Sequence, residues 1–248
     1  PSFTSVLLPD TGWAVLRDGW ETTDQYLCLD FGPKGGGHGH FDKGNIEVFA
    51  NGYGWILDNG YGNGTTLRHN TVVVDGQSQE EVTGDLIDFH TGPEVDIASC
   101  KHAGYEDLGI AHRRTVVFVR SHFFAVFDRL DCVDGREHTY TWRAQTKSTV
   151  ASCEQGRSHF CEDDAGMIIA NTSPDAFHRF AAQEFQHFNR TTCEYYQGGR
   201  WGNVPYEDGM CVEYEHLSAA ARVPMEFVLV PYTGDEPGVV CERLPSEG

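Results

Sequence analysis

The sequence predicts an all-β chain: a multi-stranded antiparallel β-sandwich of the large, supersandwich type, with little helix. Three observations predict it. Ten short runs of β-branched, aromatic and aliphatic residues recur from end to end. Turn dipeptides stand between many of them, Asp-Gly at 18, 75 and 134 and Asn-Gly at 51, 59 and 63. Many runs also alternate with period two, as a strand with one buried face does.

In chain order the runs are WAVLRDG from Trp13, YLCLDFG from Tyr26, NIEVFANG from Asn45, GWILDNG from Gly54 and NTVVVDGQ from Asn70. Then come RTVVFVR from Arg114, HFFAVFDRL from His122, HTYTWRAQ from His138, GMIIAN from Gly166 and PMEFVLVPY from Pro224. Each holds the residue types that fit a pleated, half-buried surface. One weak helical stretch is read at 174–188, PDAFHRFAAQEFQHF, with a strand and a turn as its alternative. So many strands favour two large stacked sheets over a closed barrel or jelly roll.

The 248 residues are read as one domain, 1–248. Hydrophobic residues at 40% and aromatics at 12% are enough for a substantial core. No apolar run approaches the ~20 residues of a membrane-spanning helix, so no membrane partner is expected. The chain begins with Pro1 rather than Met, which is expected to mark a boundary within a longer protein. A net charge of −19 with pI near 4.8 argues against non-specific nucleic-acid binding, which needs a basic footprint. It does not exclude an acidic ligand, because a local basic cluster or a metal can reverse the field at one site. Eight cysteines are spread singly with no Cys-x-x-Cys pair. They read first as small buried hydrophobes, next as disulfides, and least as a cysteine zinc site.

The stretch with most chemistry is GGGHGHFDKGNIEVFANG, residues 35–52. In an extended backbone residues i and i+2 face the same side, so His38 and His40 can share a site. Familiar His-x-His metal sites fit badly. A cupin expects a glutamate a few residues on, whereas Glu47 lies too far along and in a strand; a metallo-β-lactamase-like site expects Asp-His, and here Asp42 is followed by Lys43.

The block FGPKGGGHGHFDKGNIEVFANGYGWILDNG, followed by HNTVVVDGQSQ and HRRTVVFVRSHFFAVFDRLDC, resembles the C-terminal β-sheet domain of the heparinase II/III superfamily of polysaccharide lyases. The likeness runs from about Leu8 to Trp142 and weakens afterwards. It implies a zinc triad of His40, Asp58 and His69, a donor set of two imidazoles and a carboxylate that suits Zn²⁺. It implies that His38 is the catalytic base or charge-neutralising group in a β-elimination on a uronate, with Tyr61 as a possible acid and a structural aromatic as the other reading of that tyrosine. Arg68, Arg113 and Arg114 could meet an anionic sugar, the alternative for each being a solvated or Asp-paired arginine. The implied partners are an acidic polysaccharide or oligosaccharide and an N-terminal helical toroid, which is not read anywhere in this chain. The implied setting is extracytoplasmic, periplasmic or secreted. A non-catalytic carbohydrate-binding or scaffold domain that kept the zinc core is the competing reading, and a metal-dependent hydrolase a third.

Register raises one difficulty. If NIEVF and WILDN pair through a turn at 51–54, Asp58 lies opposite Glu47 rather than near His40. The glycine-rich segment is therefore expected to fold back over the sheet.

Overall fold

The computed structural model describes residues 4–37, 39–60, 64–188 and 206–242. The chain opens with an antiparallel meander of β1 (Val6–Leu8), β2 (Trp13–Arg17), β3 (Tyr26–Asp30), β4 (Ile46–Ala50) and β5 (Tyr53–Ile56). It then leaves that sheet for β6 (Val72–Val74). A second meander follows through β7 (Asp85–Thr91), β8 (Val95–Tyr105), β9 (Ile110–Val119) and β10 (Phe123–Cys132). After β11 (His138–Thr146) come β12 (Thr149–Glu154), β13 (Arg157–Glu162) and β14 (Ala165–Asn171). The last strands are β15 (Arg179–Phe188), β16 (Tyr206–Ser218) and β17 (Arg222–Thr233).

These strands make three antiparallel sheets: the five-stranded meander, an eight-stranded sheet in the order β12-β13-β14-β17-β10-β9-β8-β7, and a four-stranded sheet in the order β15-β16-β11-β6. The all-β expectation holds, and the helical elements among the described residues are three single 3-10 turns. The two smaller sheets join where Leu57 N–H, just past β5, donates to Gln145 C=O in β11 at 2.9 Å. Both pack against the eight-stranded sheet around one continuous core. Across it Trp142 of β11 stacks on Phe227 of β17, ring centroids 4.0 Å apart, while β2 packs on β8.

Turn chemistry is legible where the loop is shortest. Asn51 and Gly52, both with positive φ, close the β4–β5 hairpin between the paired Ala50 and Tyr53, the two-residue turn whose twist matches its strands. The expected opposition of Asp58 and Glu47 is corrected: a bulge shifts the ladder so that Ile56 faces Val48, and β5 ends there. The chain then turns to β11, which frees Asp58 from the sheet. The helical reading of 174–188 is likewise replaced by its alternative. Only Pro174–Ala176 makes a 3-10 turn, and β15 pairs with β16 from Arg179↔Glu215 to Phe188↔Tyr206. The seven described cysteines are free. Burial pushes the thiols of Cys100 and Cys211 up to about 12, the behaviour of small core hydrophobes.

The inner face of the eight-stranded sheet has a polar centre. Period-two alternation in β9 sends Ile110, His112, Arg114, Val116 and Phe118 inward, and β10 sends Asp128 inward between Val126 and Leu130. Arg114, 1% exposed, donates from Nε and Nη2 to the two oxygens of Asp128 at 2.7 and 2.8 Å. Its Nη1 donates to the carbonyls of Gly44 at 2.5 Å and Asn70 at 2.8 Å. The expectation that Arg114 meets a sugar is therefore corrected, since its charge and its donors are committed inside the core. His102, on β8, extends the network. Gly104 N–H donates to His102 Nδ1, so His102 Nε2–H donates to His112 Nδ1 at 2.9 Å, and His112 Nε2–H donates to Asp128 Oδ1 at 2.6 Å. Both imidazoles are thereby set as neutral Nε2–H tautomers.

This network makes the fold acid-sensitive. Burial opposes the Asp128 charge, but Arg114 and His112 outweigh it and hold its carboxyl at about 2, below the ~3.9 of an unfolded chain. A depressed carboxyl contributes stability that is complete above pH ~4 and lost as pH falls towards 2. Burial first, then His112, Arg114 and Lys43, hold His102 well below its ordinary value, so its contribution begins to be lost already below pH ~6.5. Asp128→Asn leaves Arg114 buried without its counter-charge, an expected loss of about 3–5 kcal/mol, or on the order of 10 °C in a thermal melt. The double variant Arg114→Met/Asp128→Leu is expected not to restore the melting temperature, because the carbonyls of Gly44 and Asn70 then lose their donor. Melts of both variants from pH 8 to pH 3 check this.

Candidate metal centre

The segment between β3 and β4 folds back as expected. Its course depends on Gly39: a Cβ there would stand 1.3 Å from the Lys34 carbonyl oxygen, so no other residue fits that close approach. Further on, Gly44 takes a φ of +80°, which delivers its carbonyl to Arg114. Buried side chains then hold the loop from the opposite side. Thr66 Oγ1 donates to Phe41 C=O at 2.6 Å, Thr71 Oγ1 to Lys43 C=O at 3.0 Å, and Gln79 brackets Lys43 with bonds of 2.9 Å to its N–H and its C=O. Lys43 is itself buried and paired with Asp42 at 2.5 Å.

The segment 69–71 is fixed as firmly. Asn70 Nδ2 donates to Ile46 C=O at 3.0 Å and its Oδ1 accepts from Gln145 N–H at 2.8 Å, so one side chain spans β4 and β11. Its own N–H donates to Asn45 Oδ1 at 2.7 Å. Neither Asn45, Asn70, Thr71 nor Gln79 was singled out as a positioning residue by sequence. Asn45, Asn70 and Thr71 stand immediately before β4 and β6, and Gln79 lies in the connection after β6, positions that read as ordinary turn residues.

These restraints bring His40, Asp58 and His69 together. One ligand atom from each lies within 4.8 Å of the others, whereas a tetrahedral zinc ion with bonds of ~2.0–2.2 Å would hold its ligands ~3.4 Å apart, a closure that small side-chain rotations supply. The His40 and His69 rings have centroids 5.0 Å apart. His69 is wholly buried; its Nδ1–H donates to Asp58 Oδ1 at 2.7 Å, and its Nε2 is buried with no hydrogen-bond partner. Burial opposes protonation of His69, and the charge and hydrogen bond of Asp58 outweigh it and raise its pKa. Burial, then His69, lower that of His40, which favours the neutral imidazole a metal requires. The residues present fit a zinc ion: two imidazoles, one carboxylate, and an unsatisfied nitrogen in a dry position.

Of the other expected site residues, His38 and Tyr61 lie outside the described residues. Arg68 sits in the 3-10 turn just before His69, half-buried, with its guanidinium 4.6 Å from the centre of the Phe185 ring. Arg113 faces the outside of the eight-stranded sheet and donates to Ser99 Oγ at 3.1 Å.

A family profile described as heparinase II/III-like, C-terminal, matches residues 1–194. The chain belongs to this family. It is similar to a heparin-sulfate lyase of Pedobacter heparinus, 26% identical over 143 residues, and to one of Bacteroides stercoris, 25% identical over 144 residues. Each match takes in 52% of this chain and 21% of the relative, so the aligned stretch spans about a fifth of the length of these proteins. Among solved structures, a mutant heparan sulfate lyase from Pedobacter heparinus superposes with a TM-score of 0.83 at 19% identity, over 100% of this chain and 39% of that one. Heparinase III superposes with a TM-score of 0.72 at 18% identity, over 91% and 36%. These superpositions establish the shared β fold.

Within this heparinase-like domain, Asn70 is the residue whose loss should cost most per atom removed. Asn70→Ala leaves the Gln145 N–H and the Ile46 C=O buried and unpaired, at about 1–3 kcal/mol each. Asn70→Asp keeps the acceptor for Gln145, cannot donate to Ile46, and buries a charge, so it should be at least as damaging. Urea unfolding midpoints of the two variants, compared with a control at the exposed Gln77, Gln77→Glu, check this order.

Proposed function

We propose that this domain is the zinc-holding part of a polysaccharide lyase that cleaves a uronic-acid-containing chain of the heparin or heparan sulfate class by β-elimination. The observation that carries the reading is the convergence of His40, Asp58 and His69 at the foot of the glycine loop that bears His38, in a chain of the heparinase II/III-like family. The substrate class rests on the names of its relatives. Zinc, where bound, would join the loop at His40 to the segment before β6 and hold the two together; its part is structural.

The chemistry asks for three things around one sugar ring. The uronate carboxylate must be neutralised to make the C5 proton removable. A base, here His38, takes that proton while the C5–H electron pair forms the C4–C5 double bond. The C4–O4 bond breaks, and an acid, for which Tyr61 is the candidate in this chain, protonates the departing oxygen. Arg68, half-buried beside His69, is a candidate in this domain for an anionic group on the sugar. Carboxylate neutralisation is assigned to the helical toroid implied by the family resemblance, and the protein is placed in an extracytoplasmic compartment, where such polymers are met.

Three results are expected. Protein purified without added metal should carry about one equivalent of zinc at the triad, and His40→Ala should lose it together with thermal stability, because ligand-binding energy is also folding energy. His38→Ala should melt like the parent, with or without chelator, and lose elimination activity when the toroid is supplied; equal losses of melting temperature in both variants would contradict the separation of roles. The 248-residue chain alone should show little turnover of heparan sulfate, chondroitin sulfate or alginate, followed by the ultraviolet absorbance of the unsaturated uronate, since each missing electrostatic contributor typically removes ~10²–10³ in rate. Binding of heparan sulfate without turnover, even with the toroid present, would favour the carbohydrate-binding domain instead.

A further inference from the structure

A second cluster of donors lies between the end of β10 and the start of β11. Cys132 closes β10, Asp134 stands in the exposed connection and His138 opens β11, with one ligand atom of each within 4.8 Å of the others. Cys132 and His138 are buried, at 3% exposure each, and fixed by their strands. Cys132 N–H donates to Ala221 C=O at 3.0 Å and Val133 N–H to Gly109 C=O at 2.9 Å, so the connection leaves β10 in a set direction.

His138 is oriented by a residue outside the cluster. Its Nδ1–H donates to Asp75 Oδ2 at 2.7 Å, and Asp75 is held in turn by Thr139 N–H at 2.9 Å. This is how carboxylates fix metal-binding imidazoles, leaving Nε2 as the lone pair. That lone pair faces both oxygens of Asp134 at 3.2 Å, and Cys132 Sγ lies 3.3 Å from Asp134 Oδ1. A lone pair held against a carboxylate requires a positive species between them. Without a metal, a proton on Nε2 satisfies that contact and the Cys132 thiol donates to the same carboxylate; one cation would replace both protons and draw the three ligand atoms onto a single centre. Tyr140 is wholly buried, its ring 6.3 Å from that of His138 between centroids, and burial first, then the charge of Cys132 and a hydrogen bond with it, push its phenol pKa up, which places the phenol beside the sulfur. Arg136 donates to both Asp134 oxygens, from Nε to Oδ2 at 2.5 Å and from its backbone N–H to Oδ1 at 2.8 Å, which fixes the carboxylate with Oδ1 towards Cys132 and His138.

We propose that Cys132, Asp134 and His138 form a second metal site, one that takes a thiophilic divalent cation of the zinc type. Sulfur, imidazole nitrogen and carboxylate oxygen are the three ligand types zinc accepts, and three protein ligands leave a fourth position open to solvent on the Asp134 side. Binding converts the Cys132 thiol to a thiolate and releases its proton to water; no oxidant or reductant takes part. The thiolate, Asp134 and Asp75 then carry three negative charges against the cation and Arg136, so the charges balance.

Cobalt(II) tests this independently of the triad, because only a thiolate ligand gives cobalt an intense near-ultraviolet charge-transfer band, and the triad has no sulfur. The 248-residue chain, stripped of metal and titrated with Co²⁺, should develop that band, and Zn²⁺ should bleach it. The band should survive His40→Ala and vanish in Cys132→Ser. Asp75→Asn, which loosens the hold on His138, should weaken Co²⁺ binding about 10–100-fold. Should Cys132→Ser fail to fold, as judged by circular dichroism, His138→Gln decides: loss of the band supports the site, an unchanged band overturns it. A folded parent that binds Co²⁺ without the band, or a band that persists in folded Cys132→Ser, overturns the proposal.

Discussion

The structure depends on one buried ion pair. Arg114 and Asp128 face each other from neighbouring strands of the eight-stranded sheet, on the inner face that the other two sheets cover. Such a pair is costly to bury, and replacing it by hydrocarbon often stabilises a protein. Here the guanidinium has a second task, since its third nitrogen reaches the carbonyls of Gly44 and Asn70. Those two carbonyls belong to the loop that carries His40 and to the segment that carries His69. A hydrophobic pair could fill the volume, but it could not hold two irregular backbone segments that have left their sheets.

The same logic explains why so many uncharged polar residues are buried around the candidate metal centre. A loop folded over a sheet exposes backbone groups to a dry interior, and each needs a partner. Thr66, Asn70, Thr71 and Gln79 supply those partners from side chains, doing for the loop what a ladder does for a strand. Lys43 shows the limit of reading polarity as exposure. Its stem is enclosed, and its ammonium lies 2.5 Å from Asp42, with Asp30 at 3.7 Å.

How much of this was legible depended on what each residue's neighbours decide. The ten apolar runs mark ten of the seventeen strands among the described residues, and several of the others have sequences that break the pattern. In β8 the inward positions include Asp96 and His102, and in β16 acidic residues recur through Glu213 and Glu215. Alternation did hold the answer for the arginines. Arg114 shares a face with Val116 and Phe118, and Arg113 with Thr115, so period two alone places one inside and the other outside. The triad was legible only through the family resemblance. Local pairing set Asp58 against Glu47, and the bulge that ends β5 early depends on a contact with β11, ninety residues downstream of that hairpin by rough count.

The short strand β6 shows how the domain joins its two His-carboxylate clusters. His69 and Asn70 precede it, Asp75 follows it, and its three valines, all buried, pair as Val72↔Trp142, Val73↔Thr141 and Val74↔Tyr140. At one end Asn70 bonds Gln145 of β11 while His69 meets Asp58; at the other, Asp75 bonds His138 and Thr139 of β11. A slip of one residue would turn Val72 and Val74 away from the core face they share with Trp142 and Tyr140. It would also carry His69 and Asp75 about 3.3 Å along the ladder, further than either hydrogen bond can stretch. The register of three valines therefore fixes both clusters at once. That is why a strand too short to contribute much stability of its own is enclosed on every side.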